Sequence, residues 1–325
     1  MSLLKLRLSM IGTLAFIIGA STLAFAVIMS FTGALNFVVL GPMVVGFNLL
    51  QWLFAPRLID ALYKVREVSK AENPRLYGMV EGLSAKSGLK MPKVMLANIP
   101  MPNAFAYGSP IYGSRVAVTR GALDALEEEE VEAVIGHELG HLKHRDVQIM
   151  MFASVLPAIF YFVGYSMMMS AWFGGGRNRQ EGGAAPVLIG MASMAIYWVL
   201  SLLVLGLSRL REYYADRHGA SIVEDGPRKL SEALAKIVTV SAKAKRKHRE
   251  AATTRVSSFK TLFIDDPDRA ERDAAEIAQS RKVKTDHDLV RDFVSRKVST
   301  LDRLLELFSS HPNMVNRLNA LQKLT

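Results

Sequence analysis

At residues 137–141 the chain reads His-Glu-Leu-Gly-His. On an α-helix, two histidines four apart project from one face, one turn from each other. Both imidazoles can then reach one tetrahedral zinc. Glu138, beside that face, can take a proton from a water that the metal acidifies toward a pKa of about 7. With seven histidines in the chain, the pattern can also arise by accident as a helical pair on a solvated face. Its surroundings favour the metal. Leu126 to Ile135 reads as an amphipathic helix, and Glu127–Glu130 near its start suit the helix dipole.

Two histidines and a water need a third protein ligand. The candidate lies in Ser-Arg-Leu-Arg-Glu-Tyr-Tyr-Ala-Asp, residues 208–216. Glu212 and Asp216 are four apart and share a helical face. Glu212 could bind the zinc while Asp216 orients a ligand histidine through its other ring N–H. The competing reading is a helix salt-bridged through Arg209 and Arg211. His144 shares the face of His137 and His141, but its spacing differs from that of the late third histidine of metzincins. It reads as a surface residue or a support to the ligands. His218 points elsewhere on its helix, and His248 and His287 sit in charged stretches.

These ligands must be positioned by the elements around them. No Asp, Glu, Lys or Arg occurs in residues 8–56, in 147–176 or in 182–208. A bilayer core needs about 20 apolar residues per helix, so the first run holds two spans, near 9–30 and 34–55, and the others one each. Buried core helices are the alternative, but charge-free runs this long are rare in soluble cores. Gly-Gly-Gly-Arg-Asn-Arg at 174–179 separates the last two spans, and Trp198, mid-span, is expected as a packing residue. Lys5, Arg7 and Ala24-Phe25-Ala26 also look like a secretory signal, yet the apolar run continues past Ala26 with no polar mature region. The histidine motif lies just before the third span and Glu212 just after the fourth. An antiparallel hairpin therefore returns Glu212 to the surface that His137 and His141 left.

The chain has 325 residues and no cysteine, which excludes disulfides, iron–sulfur clusters, thiol catalysis and cysteine-ligated zinc. Net charge is +10. A basic balance fits nucleic acid or anionic lipid. Its aromatics lie mostly in apolar runs rather than in a basic groove, so no nucleic-acid partner is expected. Lys5, Arg7, Arg57, Lys64, Arg66, Lys70, Lys143, Arg145, Arg209 and Arg211 all fall on one side of an even-span arrangement. That places both termini and the polar segments in the cytoplasm. The basic cluster 243–249 reads as a solvated helix face or loop, or as a surface touching lipid headgroups.

With these motifs in view, the chain resembles the HtpX-type membrane zinc metalloproteases, relatives of the CAAX prenyl endopeptidases. The resemblance covers nearly the whole chain. It rests on the paired N-terminal spans, on His137–His141 before a span and on Arg-Glu-Tyr-Tyr-Ala-Asp (211–216) after the next. It also rests on Pro102-Asn103-Ala104-Phe105-Ala106 and on Ser310-His311-Pro312 followed by Arg317. It implies that His137, His141 and Glu212 bind one zinc per chain, that Glu138 is the general base and that Asp216 supports the ligands. It implies that His311 and Arg317 stabilise the oxyanion, and that Asn103, Ala104, Phe105 and Ala106 lie along the substrate groove. Read without the resemblance, Ala104–Tyr107 and Arg115–Thr119 are short strands with turn signals between them, Pro312 begins a helix, and Arg317 sits on that helix's surface.

The expected fold class is a mainly α membrane protein: four transmembrane helices and a cytoplasmic, helical, zincin-like peptidase domain with a small β-sheet. Residues 1–56 and 147–207 form the transmembrane hairpins, and 57–146 and 208–325 build the peptidase domain. The expected function is a zinc endopeptidase of the cell (inner) membrane. It would act on protein substrates, mainly misfolded or damaged membrane proteins, at the lipid bilayer. A prenyl-protein endopeptidase and a non-catalytic membrane scaffold are the alternatives. A transporter would require ionisable residues inside the spans, and none is found.

Overall fold

The computed structural model describes residues 37–173, 185–249 and 285–324. In chain order these form α1 (Phe37–Leu62), β1 (Val65–Glu67), α2 (Pro74–Ser87), β2 (Lys93–Ala97), β3 (Ala104–Ser109) and β4 (Gly113–Thr119). There follow α3 (Arg120–Ala125), α4 (Glu128–Lys143), α5 (Asp146–Phe173), α6 (Ala185–Ile222) and α7 (Gly226–Arg249). The chain continues through α8 (Asp286–Val294), α9 (Thr300–Leu307), β5 (Ser310–His311) and α10 (Met314–Gln322). The architecture is mainly helical with one small mixed sheet. The expected first span, 9–30, and the loop 174–179 lie outside the described residues.

The sheet has the order β1-β2-β4-β3. The central pair β2/β4 is parallel, and both outer pairs are antiparallel. Each face of the sheet has its own cover, because side chains alternate along a strand. Ala104, Val116 and Val118 join a core with Val134, Ile135 and Leu139 of α4 and with Leu230, Leu234 and Val238 of α7. Phe105, Tyr107, Met95 and Ala117 face the other way, toward Ile59 at the end of α1. The β3–β4 hairpin is tighter than the turn signals suggested. Gly108 lies within β3, where a Cβ would meet the Gly113 carbonyl oxygen at 2.4 Å, and Gly113 takes φ +71°. Gly108 has no room for a side chain, and Gly113 has the room but holds a backbone conformation that other residues rarely adopt.

The motif helix α4 starts later and runs further than the 126–135 expectation. Glu127 stands before its first turn, with its N–H donated to Glu130 Oε2 at 2.7 Å. The acidic first turn Glu128–Glu130 matches the positive helix end. Past Lys143 the chain turns through Arg145, whose φ of +53° lets α5 begin at once with Asp146.

Among the described residues, α5 and α6 are long and apolar enough to cross a membrane. They pack side by side, Gly164 against Met194 and Gly190 against Met168. Leu188, Met191, Val199 and Leu203 of α6 nevertheless expose 58–64 % of their surface. A soluble core helix would bury them, so the apolar face is built for a different solvent. Trp198, expected as a packing residue, faces outward with them. Helix α1 contains most of the expected second span, and Val45, Leu49, Leu50 and Phe54 are exposed.

Candidate metal centre

Helices α4 and α6 touch backbone to backbone. Gly136 and Gly140 on α4 meet Ala215 and Gly219 on α6. A Cβ at Gly140 would lie 2.9 Å from Ala215 Cα, and one at Gly219 would lie 2.7 Å from the His137 nitrogen. This approach sets His137 and His141 directly against Glu212. His137 Nε2 lies 3.1 Å from His141 Nε2. Glu212 Oε2 lies 3.5 Å from His137 Nε2, and Glu212 Oε1 lies 3.2 Å from His141 Nε2.

Those separations fit a metal. Ligand atoms about 2.0–2.1 Å from a tetrahedral zinc are about 3.4 Å from one another. The outer ring nitrogens are held by carboxylates: His137 Nδ1 is 2.9 Å from Asp216 Oδ1, and His141 Nδ1 is 2.6 Å from Asp146 Oδ2. Such partners keep the proton on Nδ1 and leave the Nε2 lone pairs converging on Glu212, an arrangement that a cation satisfies. The charges agree. Burial works to lower the His141 imidazole, but the Glu212 carboxylate and the Asp146 hydrogen bond push it up to about 10. His137 is likewise raised, the bonds to Asp216 and Glu212 outweighing burial and Arg317. His137, Glu212 and Asp216 are buried. The ligand set is thus one of nitrogen and oxygen donors already oriented for a divalent ion.

Glu138 stands beside the two histidines. A ligand atom of its carboxylate lies within 4.8 Å of those of His137 and His141. Its Oε2, however, accepts the Ala106 N–H at 2.8 Å, which turns the carboxylate toward β3. Burial, the largest influence, raises its pKa above the ordinary carboxylate value. The Ala106 bond also shows which way β3 faces. Ala106 points its N–H away from β4, and by the strand period Ala104 and Gly108 do the same. Since β3 ends the sheet, those backbone groups line its open edge. Asn103 is buried and exchanges hydrogen bonds with Thr119. Phe105 points to the opposite face, packed on Tyr63 and Tyr107. Of the four groove residues expected, Ala104 and Ala106 therefore present backbone to the site, whereas Asn103 and Phe105 hold the strand in place.

His311 and Arg317 reach the centre from the C-terminal segment. His311 is buried, with Nδ1 3.3 Å from Glu212 Oε2 and, among the described residues, no hydrogen bond to either ring nitrogen. Burial, with help from the Arg317 charge, lowers its pKa to about 4, so the ring is neutral. Arg317 is wholly buried and not on a helix surface. Its Nε and Nη2 each donate to Asp216 at 2.6 Å, and Nη1 lies 3.4 Å from Glu212. Pro312 precedes α10, whose cap is Asn313, accepting the Val315 N–H at 2.9 Å. The competing idea of Arg209 and Arg211 pairing with Glu212 and Asp216 does not match the geometry: Arg211 pairs with Asp146 at 2.7 Å, and Arg209 donates to the Glu306 carbonyl.

His144 is exposed beside Tyr214 and His218, away from the centre. His218 bonds Ser87 Oγ at 3.0 Å. Two features of the site were missed from sequence. Asp146, five residues after His141, had a signal in its spacing. The small residues Gly136, Gly140, Ala215 and Gly219, four apart on each helix, had one in their period.

Residues 70–325 match the family model for Peptidase family M48. The chain is 37 % identical over 289 residues to the Protease HtpX homolog of Thermoplasma acidophilum, covering 88 % of this chain and 85 % of that one. It is 37 % identical over 318 residues to the Protease HtpX homolog of Aeropyrum pernix, covering 98 % and 95 %. It is 39 % identical over 236 residues to that of Methanothermobacter thermautotrophicus, covering 72 % and 86 %. Among solved structures, the crystal structure of S. mikatae Ste24p shares the fold with a TM-score of 0.55 at 17 % identity. That match covers 95 % of this chain, which spans 64 % of the length of Ste24p.

Proposed function

The chain belongs to peptidase family M48 and is a membrane metalloprotease, and from that premise we propose that His137, His141 and Glu212 hold one zinc with Glu138 as the general base. The observation that carries the assignment is the convergence of two imidazole Nε2 atoms and one carboxylate at separations of 3.1–3.5 Å. When bound, zinc would supply Lewis acidity to the scissile carbonyl and to water.

The protein groups do the rest. An extended substrate lies along the open edge of β3 by strand addition, reading the outward backbone groups of Ala104 and Gly108 and the Ala106 carbonyl, whose N–H already bonds Glu138. Glu138, raised by burial, takes the proton of the attacking water and passes it to the leaving amine. His311, neutral at working pH, directs a ring N–H at the oxygen that gains charge. Arg317 fixes Asp216 behind His137 and adds positive potential to the same pocket.

The proposed setting is a four-span protein of the cell membrane. Its peptidase domain is assembled from 57–146 and 208–325, and its transmembrane hairpins are 1–56 and 147–207. The basic residues flanking the spans support cytoplasmic termini and a cytoplasmic active site. Helix α6 is 38 residues, about 57 Å, so it outruns a bilayer core of about 30 Å. Its uncharged part ends at Ser208. Glu212 then sits about 6 Å further along the axis, within reach of chain segments leaving the membrane. This placement supports misfolded or damaged membrane proteins as substrates.

The test is metal content together with cleavage. The purified protein should hold about one zinc and cut casein, whereas Glu138→Gln should keep the zinc and lose cleavage. Cleavage by that variant at the parent rate would overturn the mechanism. A prenylated CAAX peptide assayed beside casein separates the prenyl-protein alternative.

A further inference from the structure

Helix α9 is built inside out for a helix in water. Leu301, Leu304, Leu307 and the following Phe308 expose 48–62 % of their surface, and no residue of the helix is buried. At 100° per residue these four and Leu305 fall in one arc of about 160°, with Asp302, Arg303 and Glu306 opposite. The polar side is the one that faces protein. Glu306 accepts the Asn313 N–H at 3.0 Å and the Asn316 amide at 3.2 Å, and its backbone carbonyl accepts from Arg209.

The Arg209 contact fixes the level of α9 along α6. Arg209 is the first charge after the uncharged run 182–208, so α9 lies where the transmembrane part of α6 ends. The exposed Leu203, Leu207 and Leu210 carry the apolar surface of α6 up to that level. Lys297, just before α9, and Arg303, on its polar side, are exposed and match anionic headgroups.

We propose that α9 is an interfacial membrane helix, its face of Leu301, Leu304, Leu307 and Phe308 seated at the headgroup boundary of the bilayer that α5 and α6 cross. The proposal rests on the membrane reading above. Continuity with the lipid-facing side of α6 selects lipid as the occupant over a second copy or another segment of the chain. Its consequence is positional: α9 leads directly into His311 and Arg317, so the bilayer braces the segment that closes over Glu212.

Because the chain lacks cysteine, single-cysteine variants report cleanly. Leu304→Cys, Phe308→Cys, Arg303→Cys and Leu203→Cys of the full chain would each carry a fluorescent label in phosphatidylcholine–phosphatidylglycerol vesicles, with zinc content verifying the fold. Nitroxide on the lipid acyl chains should quench labels at 304 and 308 nearly as strongly as at 203, and several-fold more than at 303. Quenching of the 304 and 308 labels by aqueous iodide, or shielding from both quenchers by covering protein, overturns the proposal while quenching at 203 leaves the membrane reading standing. Loss of lipid quenching at 203 as well overturns both.

Discussion

The two ends of helix α6 follow opposite rules. Toward the N-terminus, Leu188, Met191, Val199 and Leu203 face outward. Beyond Arg209, the same helix buries Arg211, Glu212 and Asp216 on one side and exposes Leu210 and Tyr214 on the other. One continuous helix thus crosses from a solvent that rejects charge to a protein interior that admits charge because every charge has a partner. Apolar side chains lose nothing in lipid, whereas an ionised group there costs about 2.5–3.5 kcal/mol. A buried carboxylate is tolerated only with hydrogen-bonded counter-charge, and Asp216 has it from Arg317 and His137.

That contrast can be broken at graded cost. Glu212→Ala should have the largest effect, removing a ligand and lowering cleavage by about a thousandfold or more, with zinc lost on dialysis. Asp216→Asn should come next. It takes from Arg317 the carboxylate that accepts its two short hydrogen bonds and leaves only Glu212 at 3.4 Å as counter-charge, which costs about 3 kcal/mol in unfolding experiments. It also releases His137 Nδ1 and weakens zinc binding about 10- to 100-fold in competition with a chelator. Leu203→Lys, at the lipid-facing end, should cost about 3 kcal/mol of membrane insertion and leave the zinc affinity of the inserted fraction unchanged. Gly219→Ala should cost about 1–3 kcal/mol, because its Cβ meets the His137 backbone, and should lower activity through ligand displacement. Gly206→Ala should be the mildest, since the nearest atom to its Cβ is the flexible Arg209 guanidinium at 3.6 Å. A Gly206→Ala effect as large as that of Gly219→Ala would show that the two ends of α6 are not governed differently.

Much of this was legible in the residues. The helical spacing of His137, Glu138 and His141, and of Glu212 and Asp216, is local geometry, and the charge-free runs 147–176 and 182–208 fall largely in the long apolar helices α5 and α6. The β3–β4 hairpin was readable from Gly108, Pro110 and Gly113. Strands β1 and β2 were not anticipated, because each is short and is stabilised by pairing with distant residues, Val65 with Ala97 and Lys93 with Arg115. Arg317 was misread as a possible surface residue for a similar reason. Nothing near it in the sequence indicates a carboxylate 101 residues away.

By itself the sequence determined the donor types, their helical faces and where the long apolar helices α5 and α6 run. These depend only on residue chemistry and on the 3.6-residue period. The tertiary structure decided which carboxylate meets which imidazole, that Glu138 turns to the edge of β3, and that Arg317 and His311 close the pocket. Those are through-space relations, set by how closely Gly136, Gly140 and Gly219 let α4 and α6 approach, and no local pattern encodes them.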